Sequence, residues 1–326
     1  MKILTTGLAI AVMLMPFTAA QADSEVDTTL TRITALIETD IDKAETLVET
    51  LLEDAPANPE AHFLCGRIMG RQASDAIFSA LKYAGKSLDC FKAAVRLAPT
   101  NVRYRQGLLR FYLGAPAIAG GSEALAREQV ETIRQISPVE GAKAELVLLA
   151  STAEPEQISA RLAELREQFP EVSDFHFRHG LQLQEQNQYD AAYDAFVEAL
   201  SAAEKTLVAN RSGAPEEISD GNVADAEYAR SDYLNALYQI GRNAVFSQAH
   251  IEHGVSALRE YVADIDNTEV PTDAPPQTWG YLRLAQLYSL QGETEKMTTN
   301  LALAEKSDDE ALHDAARKLR NANRSD

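Results

Sequence analysis

The chain has 326 residues and a formal net charge of −19, with 49 acidic against 30 basic side chains. So acidic a chain is repelled by DNA and RNA, which excludes nucleic-acid binding that ignores base sequence. Hydrophobic residues make up 45% and charged residues 24%, as in folded globular domains rather than disordered chains. Aromatic residues are only 7%, and the abundant alanine, leucine and glutamate favour helices over strands.

Residues 1–22 have the pattern of a secretory signal peptide. Lys2 precedes the apolar stretch Ile3–Phe17, and Ala20-Gln21-Ala22 fits the small-x-small rule of signal peptidase. We therefore expect cleavage before Asp23 and a mature chain in the bacterial periplasm or outside the cell, with no stable membrane insertion. An uncleaved membrane anchor is the alternative, which the apolar stretch disfavours because it is shorter than the ~18 residues that span a bilayer.

A helix–turn–helix pattern recurs along the chain, and residues 175–200 show it most clearly. Small residues at Gly180 and Ala192 allow two antiparallel helices to approach closely, while Phe196 and Ala199 follow on the same helical face as Ala192. Matching offsets recur at Gly66, Phe91, Ala94 and Pro99, at Leu108, Tyr112, Ala126, Val130, Ile133 and Pro138, at Gly241, Gly254, Leu258 and Tyr261, and at Tyr281, Leu284, Ala285, Tyr288, Gly292, Leu301, Ala304 and Asp309.

This spacing resembles the tetratricopeptide repeat, a unit of about 34 residues, over most of residues 25–311. Residues 68–87 and 111–126 are similar to a branch of exported bacterial tetratricopeptide proteins of unknown activity. The resemblance implies an all-α fold, a right-handed α-solenoid of about six to seven helix–turn–helix units with a concave face. Two weaker copies lie at roughly 25–58 and 139–172. Prolines that stop helices follow four units, at Pro56, Pro99, Pro138 and Pro170.

Two segments interrupt the repeats and divide the chain. Residues 210–224 contain two glycines and a proline, and residues 264–276 contain three prolines. We expect a polar-faced capping helix over residues 309–321. The predicted organisation is a signal peptide at 1–22, N-terminal and central repeat units at 23–209, a linker and the start of the next helix at 210–232, and a C-terminal pair of units with the capping helix at 233–326.

An apolar loop, residues 115–121, joins two predicted helices, and Ser122 suits the N-cap of the helix that follows. One interpretation is a binding loop at the edge of the solenoid. The other, which we favour, is a loop that folds back over the core, because exposed apolar side chains cost free energy. The candidate binding residues of this loop are Pro116, Ile118, Gly120 and Gly121.

Cys65 and Cys90 are a candidate disulfide. In an oxidising compartment the two residues could pair, and closing a loop of this length would add ~3 kcal/mol to stability. The alternative is two buried thiols that behave as small apolar side chains. The sequence leaves both alternatives open.

The common catalytic motifs for acyl transfer, phosphate binding, dinucleotide binding and zinc hydrolysis are absent from the sequence. His176-x-x-His179 and His250-x-x-His253 each place two imidazoles on one helical face, a spacing that could hold a metal ion. Because an isolated pair is a weak signal, we interpret these residues as surface or inter-helix histidines. We therefore predict no enzyme activity, no cofactor and no metal site.

In tetratricopeptide domains, certain positions of the first helix of each pair line the concave groove. Carried over by resemblance, these positions predict a groove with more basic than acidic side chains. Guanidinium groups bind carboxylates through paired hydrogen bonds, and aromatic rings supply contact area for a peptide. The predicted groove residues are Phe63, Arg67, Arg71, Arg103, Arg110, Lys143, Phe177, Tyr238, Arg242 and Trp279, with Phe246 beside them, set against Glu60, Glu140, Asp174 and Glu185.

These features predict a non-catalytic protein–protein interaction scaffold or adaptor of the bacterial cell envelope, which holds an extended or acidic peptide segment in its groove. The alternative for the arginines is that they only neutralise neighbouring acids. The alternative function is an accessory protein of a transporter that binds a small acidic solute. A metal-dependent hydrolase would need convergent histidines and carboxylates that the sequence does not supply.

Overall fold

The computed structural model describes residues 19–76, 78–211, 222–265 and 273–323. Over these residues the chain forms helices joined by turns, without a β-strand. The predicted fold class, an all-α array of helix–turn–helix units with a C-terminal capping helix, is confirmed. The helices are α1 (Ala19–Thr39), α2 (Ile41–Asp54), α3 (Pro59–Asp75), α4 (Ala80–Leu97), α5 (Val102–Gly114), α6 (Glu123–Ile136), α7 (Pro138–Thr152), α8 (Pro155–Gln168), α9 (Ser173–Glu185), α10 (Tyr189–Arg211), α11 (Asn222–Ser247), α12 (Ile251–Asp264), α13 (Gln277–Leu290), α14 (Thr294–Ala304) and α15 (Glu310–Ala322), with a 3-10 turn, Ala117–Ala119, between α5 and α6.

The chain divides into two compact units, Met1–Ala144 and Glu145–Asp326, called here unit 1 and unit 2. Consecutive helices pack as the pairs α1/α2, α3/α4 and α5/α6 in unit 1, and as α9/α10, α11/α12 and α13/α14 in unit 2. The first helices of successive pairs also touch, α1 with α3 and α3 with α5 in unit 1, and α9 with α11 and α11 with α13 in unit 2. Each unit therefore has a face built from first helices, called here its first-helix face.

Helix ends follow the local sequence. Four helices end two residues before a proline, because proline disfavours the helical backbone conformation in the residue that precedes it. Ser122 is the N-cap of α6, and its hydroxyl accepts a hydrogen bond from the Leu125 amide at 3.3 Å, which confirms the predicted cap. The four pairs of helix end and proline are Asp54 with Pro56, Leu97 with Pro99, Ile136 with Pro138 and Gln168 with Pro170.

In two of the helix pairs, the two helices lie close together because a glycine of the first helix faces a phenylalanine of the second. A Cβ atom placed on Gly66 would lie 2.6 Å from the Phe91 ring, and one placed on Gly180 would lie 2.5 Å from the Phe196 ring. Carbon atoms do not pack at such distances, so a larger residue at either position would force the helices apart. The close approach predicted at Gly180 is confirmed.

No helix in the described ranges is long and apolar enough to cross a membrane. Residues 1–18 of the predicted signal peptide lie outside the described residues, as do 212–221 and 266–272 of the two predicted interruptions. Helix α10 continues to Arg211 and α11 begins at Asn222, so the first interruption is shorter than the predicted residues 210–224. The capping helix α15 begins at Glu310, directly after its N-cap Asp309, in agreement with the helix predicted over residues 309–321.

Candidate functional site

The first-helix face of unit 1 carries four of the predicted arginines, two on α3 and two on α5. Within each helix the two arginines are four or seven residues apart, a spacing that places both on one side of the helix. All four side chains are exposed, so this face carries the arginines that the sequence predicts for the groove. These arginines are Arg67, Arg71, Arg103 and Arg110.

Arg71 and Arg103 are bonded to groups of the preceding helix pair. Arg71 donates hydrogen bonds to the Glu38 carboxylate at 2.7 Å and to the Ile37 carbonyl at 2.9 Å. Both terminal nitrogens of Arg103 donate to the Glu60 carboxylate, at 2.8 and 2.9 Å. The first contact joins α1 to α3 and the second joins α3 to α5, so these two arginines tie successive helix pairs together.

Arg67 and Arg110 differ from their neighbours. In the part of the chain that the structure describes, neither guanidinium forms a hydrogen bond or an ion pair. Partial burial lowers the pKa of Arg67 and the positive charge of Arg103 lowers it further, while the carboxylates of Glu38 and Glu60 act in the opposite direction. Lys143, by contrast, donates to the Glu140 carboxylate at 2.8 Å. The hydrogen-bond donors of Arg67 and Arg110 are therefore open to a ligand.

The prediction that Phe63 lines the groove is wrong, because its ring lies in the core of unit 1. The residue is only 6% exposed, and its ring centroid lies 5.8 Å from that of Phe91 and 5.2 Å from that of Tyr104. The Arg103 guanidinium carbon lies 4.4 Å from the Phe63 ring centroid and covers its outer side. The Phe63 ring therefore packs against the Arg103 guanidinium and is too buried to contact a ligand.

The first-helix face of unit 2 holds a cluster of a different kind. The guanidinium carbons of Arg242 on α11 and Arg283 on α13 lie 4.8 and 5.6 Å from the ring centroid of Phe246. Arg283 also lies 5.3 Å from the ring centroid of Trp279. Phe246 is 41% exposed, an unusual exposure for a phenylalanine. We call Arg242, Phe246, Trp279 and Arg283 the aromatic–arginine patch.

The hydrogen-bond partners of these two arginines are neutral. Arg242 donates to the side-chain oxygens of Gln184 and Gln239, and Arg283 donates to that of Gln286 at 2.9 Å. Among the described residues, no carboxylate contacts either guanidinium. Burial lowers the pKa of Arg242, and the nearby charge of Arg283 lowers it further. The patch thus keeps two like charges together without an anion.

A chain of buried amides fixes the position of Arg242. The Asn243 side chain, fully buried, donates to the Tyr189 carbonyl at 2.8 Å, which leaves its own oxygen to accept from Gln184 at 3.1 Å. Because the Gln184 nitrogen is used in this way, its oxygen faces Arg242 and accepts a hydrogen bond from it. The backbone of α10 therefore orients the guanidinium through two side chains.

Two further aromatic residues predicted for the groove belong to the core of unit 2. Tyr238 is 4% exposed, its ring centroid lies 5.3 Å from that of Tyr261, and its hydroxyl meets Arg283 at 3.5 Å. Phe177 is half-buried, packs against the core and has its ring centroid 5.9 Å from that of Phe196. The groove-lining prediction is therefore wrong for Tyr238, whereas Phe177 lies at the edge of the core.

The loop between α5 and α6 lies against α4 through its backbone. A Cβ atom at Gly120, whose φ is +98°, would lie 2.7 Å from Leu88 of α4. Ile118 is 81% exposed and Pro116 is also exposed, so the favoured interpretation, that these side chains cover the core, is wrong. The glycines allow the backbone to pack, and the apolar side chains face solvent.

Cys65 of α3 and Cys90 of α4 form a disulfide, with 2.11 Å between the sulfur atoms. Of the two states that the sequence left open, the structure therefore contains the bonded one. The bond links the two helices of one pair within unit 1, close to the contact between Gly66 and Phe91.

Histidines of both pairs contact neighbouring helices, and the ring of His250 stacks on that of Tyr193 with 3.7 Å between the centroids. His176 contacts the Glu198 carboxylate through Nδ1 at 2.9 Å and the Pro170 carbonyl through Nε2 at 2.8 Å. His253 Nδ1 lies 2.7 Å from the Tyr193 hydroxyl. In the described ranges, no group of three or more histidine, cysteine, aspartate or glutamate side chains is arranged to hold a metal ion.

No protein-family model and no curated protein sequence match the chain. Solved structures do match. PilW, a widely conserved type IV pilus biogenesis factor, is 12% identical with a TM-score of 0.37, over 89% of this chain and 97% of PilW. The human IFIT1 dimer with PPP-AAAA is 17% identical with a TM-score of 0.35, over 86% of this chain and 72% of IFIT1. At these values the matches say nothing about function.

Sequence reasoning missed Arg283 and Glu38. Arg283 lies four residues after Trp279 on the same helix, and this spacing brings two side chains together on a helix surface. The groove positions carried over from tetratricopeptide domains omit residue 283, so they do not predict Arg283 as a groove residue. Glu38 belongs to the first of the two weaker repeat copies, a copy for which the resemblance assigns no groove position, although its carboxylate binds Arg71.

Proposed function

We propose that this protein is a non-catalytic interaction scaffold or adaptor of the bacterial cell envelope, and that it binds a peptide segment along the first-helix face of unit 1. The observation that carries the proposal is the state of Arg67 and Arg110, whose guanidiniums form no hydrogen bond or ion pair with a carboxylate among the described residues, although Glu38 and Glu60 act on Arg67 through space. A peptide with acidic side chains, or with its own terminal carboxylate, would supply the missing acceptors.

The neighbouring ion pairs support this assignment. Because Arg71 is bonded to Glu38 and Arg103 to Glu60, the helices that carry the open arginines are already held in register. A surface fixed in this way loses little conformational entropy when a ligand binds, which favours affinity. The resemblance to tetratricopeptide domains points to the same face, since the first helices line the groove there.

The envelope location rests on two features. The signal-like pattern of residues 1–22 predicts export, and the disulfide between Cys65 and Cys90 fits an oxidising compartment. Fractionation of cells that express the full chain should find it in the periplasm or the medium. Recovery in the cytosol with its N-terminus intact would contradict this part of the proposal.

Crosslinking in the native envelope followed by mass spectrometry identifies the partner, and two double variants then test the face. Arg67→Gln with Arg110→Gln removes the open guanidiniums and should weaken binding at least about tenfold, since hydrogen bonds to charged groups are strong. Lys92→Gln with Arg96→Gln removes the same charge from the exposed side of α4 and should leave binding unchanged. Equal affinities for both double variants would refute the assignment.

A further inference from the structure

The aromatic–arginine patch of unit 2 is a second candidate site, and it does not depend on the function proposed for unit 1. It combines two guanidinium groups, from Arg242 and Arg283, with the flat faces of Phe246 and Trp279. All four residues lie on α11 and α13, which pack against each other within unit 2. The two arginines share the Phe246 ring, so their charges lie close together.

Two like charges held close together without a counter-ion repel each other, and partial burial strengthens the repulsion. Other arginines of unit 2 avoid this cost by binding carboxylates, as Arg161 does with Glu145 at 3.0 Å and Arg178 does with Asp174 at 2.8 Å. The guanidiniums of Arg242 and Arg283 have only amide, phenol and aromatic neighbours among the described residues, whereas the Asp309 carboxylate accepts from the Trp279 indole nitrogen. No described carboxylate therefore pairs with either guanidinium, although the chain has a large excess of acids.

Buried hydrogen bonds also fix the position of the Arg242 side chain in the patch. Gln184 is 8% exposed and Asn243 is fully buried, and together they set the position of Arg242 from the backbone of α10. Burying polar groups is costly unless every partner is in place, and here the chain of bonds runs unbroken to the guanidinium. On the other side, the Trp279 indole nitrogen donates to Asp309 at 3.0 Å, which fixes the ring beside Arg283.

We infer that this patch binds a carboxylate attached to a flat apolar group, such as the C-terminal residue of a peptide that ends in an aromatic side chain, or a free aromatic acid. The planar guanidiniums match the two oxygens of a carboxylate. The exposed Phe246 ring and the half-buried Trp279 ring supply apolar surface for the attached group. A bound carboxylate would also remove the repulsion between the two arginines.

Trp279 is the sole tryptophan of the chain and lies in the patch, so its fluorescence reports on the site directly. Titration of the full chain with N-acetyl-phenylalanine should give a saturable change in fluorescence, with a matching heat by calorimetry. Arg283→Gln and Arg242→Gln should each weaken binding at least about tenfold. Arg317→Gln removes the same charge from an exposed position of α15 and should bind like the parent. Thermal melts followed by circular dichroism confirm that each variant is folded.

Five further ligands decide the chemistry. The amide of N-acetyl-phenylalanine lacks the carboxylate and should not bind; binding as tight as that of the acid would overturn the inference, as would equal affinity for acetate or inorganic phosphate. A lack of saturable binding by the parent would also overturn it. Tighter binding of a tripeptide ending in phenylalanine than of phenylacetate would support the inference and identify a peptide terminus, and the reverse order would support it with a small solute as ligand.

Discussion

Arginines line the first-helix faces of both units, but their surroundings differ. In unit 1, Arg71 and Arg103 are bonded to carboxylates of the preceding helix pair, and each bond crosses from one pair to the next. In unit 2, Arg242 and Arg283 meet amides and aromatic rings, and the residues described there offer them no carboxylate. The difference lies in what the neighbouring helix presents, since the residue type is the same.

This contrast separates two roles for a surface arginine. Where the adjacent helix presents a glutamate, the arginine satisfies its donors within the protein and contributes to stability. Where the adjacent helix presents neutral groups, the guanidinium charge stays available for a ligand, and the repulsion between neighbouring guanidiniums is not compensated. Stability and binding should therefore respond in opposite ways to the replacement of Arg71 or Arg103 and to the replacement of Arg242 or Arg283.

The largest expected difference comes from the disulfide, because unit 2 contains no cysteine. Replacing Cys65 and Cys90 by alanine should lower the stability of the α3/α4 pair by about 3 kcal/mol through the entropy of the opened loop. Hydrogen exchange followed by mass spectrometry should show faster exchange in α3 and α4 and no change in α13 and α14. Equal acceleration in both units would contradict the expectation that the bond stabilises unit 1 locally.

The glycine contacts test whether the two units pack by the same rule. Gly66→Ala and Gly180→Ala should each destabilise the protein by about 1–3 kcal/mol, because the added methyl group meets a phenylalanine ring. Gly85→Ala is the matched control, since nothing lies within 4 Å of the added carbon on α4. It should stabilise the helix by roughly 0.5–1 kcal/mol. Urea denaturation gives all three values, and a loss from Gly85→Ala would undermine the steric explanation.

The arginines themselves provide the most direct test of the contrast. Arg103→Gln should lower the free energy of unfolding by about 1 kcal/mol, because it removes the bonds to Glu60 and the contact with Phe63. Arg283→Gln should leave stability unchanged or raise it slightly, because it relieves the repulsion between Arg283 and Arg242 and leaves the bond from Arg242 to Gln184 in place. A loss from Arg283→Gln as large as that from Arg103→Gln would mean that both units use their arginines structurally.

The sequence was enough for the fold because its signals are local. Glycine against phenylalanine, proline after a helix end and serine at a helix start each act within one helix pair, as Gly180, Pro99 and Ser122 show. The candidate sites depend on contacts between pairs, where spacing along the chain gives little guidance. The helix position of Phe63 predicts a groove residue, but its ring packs against those of Phe91 and Tyr104 in the core.

The smallest expected effect concerns His179 of α9 in unit 2. Partial burial lowers its pKa below the usual 6.5, and the charges of Arg166 and His176 act in the same direction, while Glu198 opposes them. The unfolded chain therefore binds a proton more readily than the folded chain, so stability falls as the pH drops below about 6.5.

Urea midpoints at pH 7.5 and pH 5.5 measure this dependence. His179→Gln should reduce the difference between the two midpoints, because the proton that favours unfolding no longer has a site. A difference between the two midpoints as large in His179→Gln as in the parent would contradict the assignment of this pH dependence to the partial burial of His179.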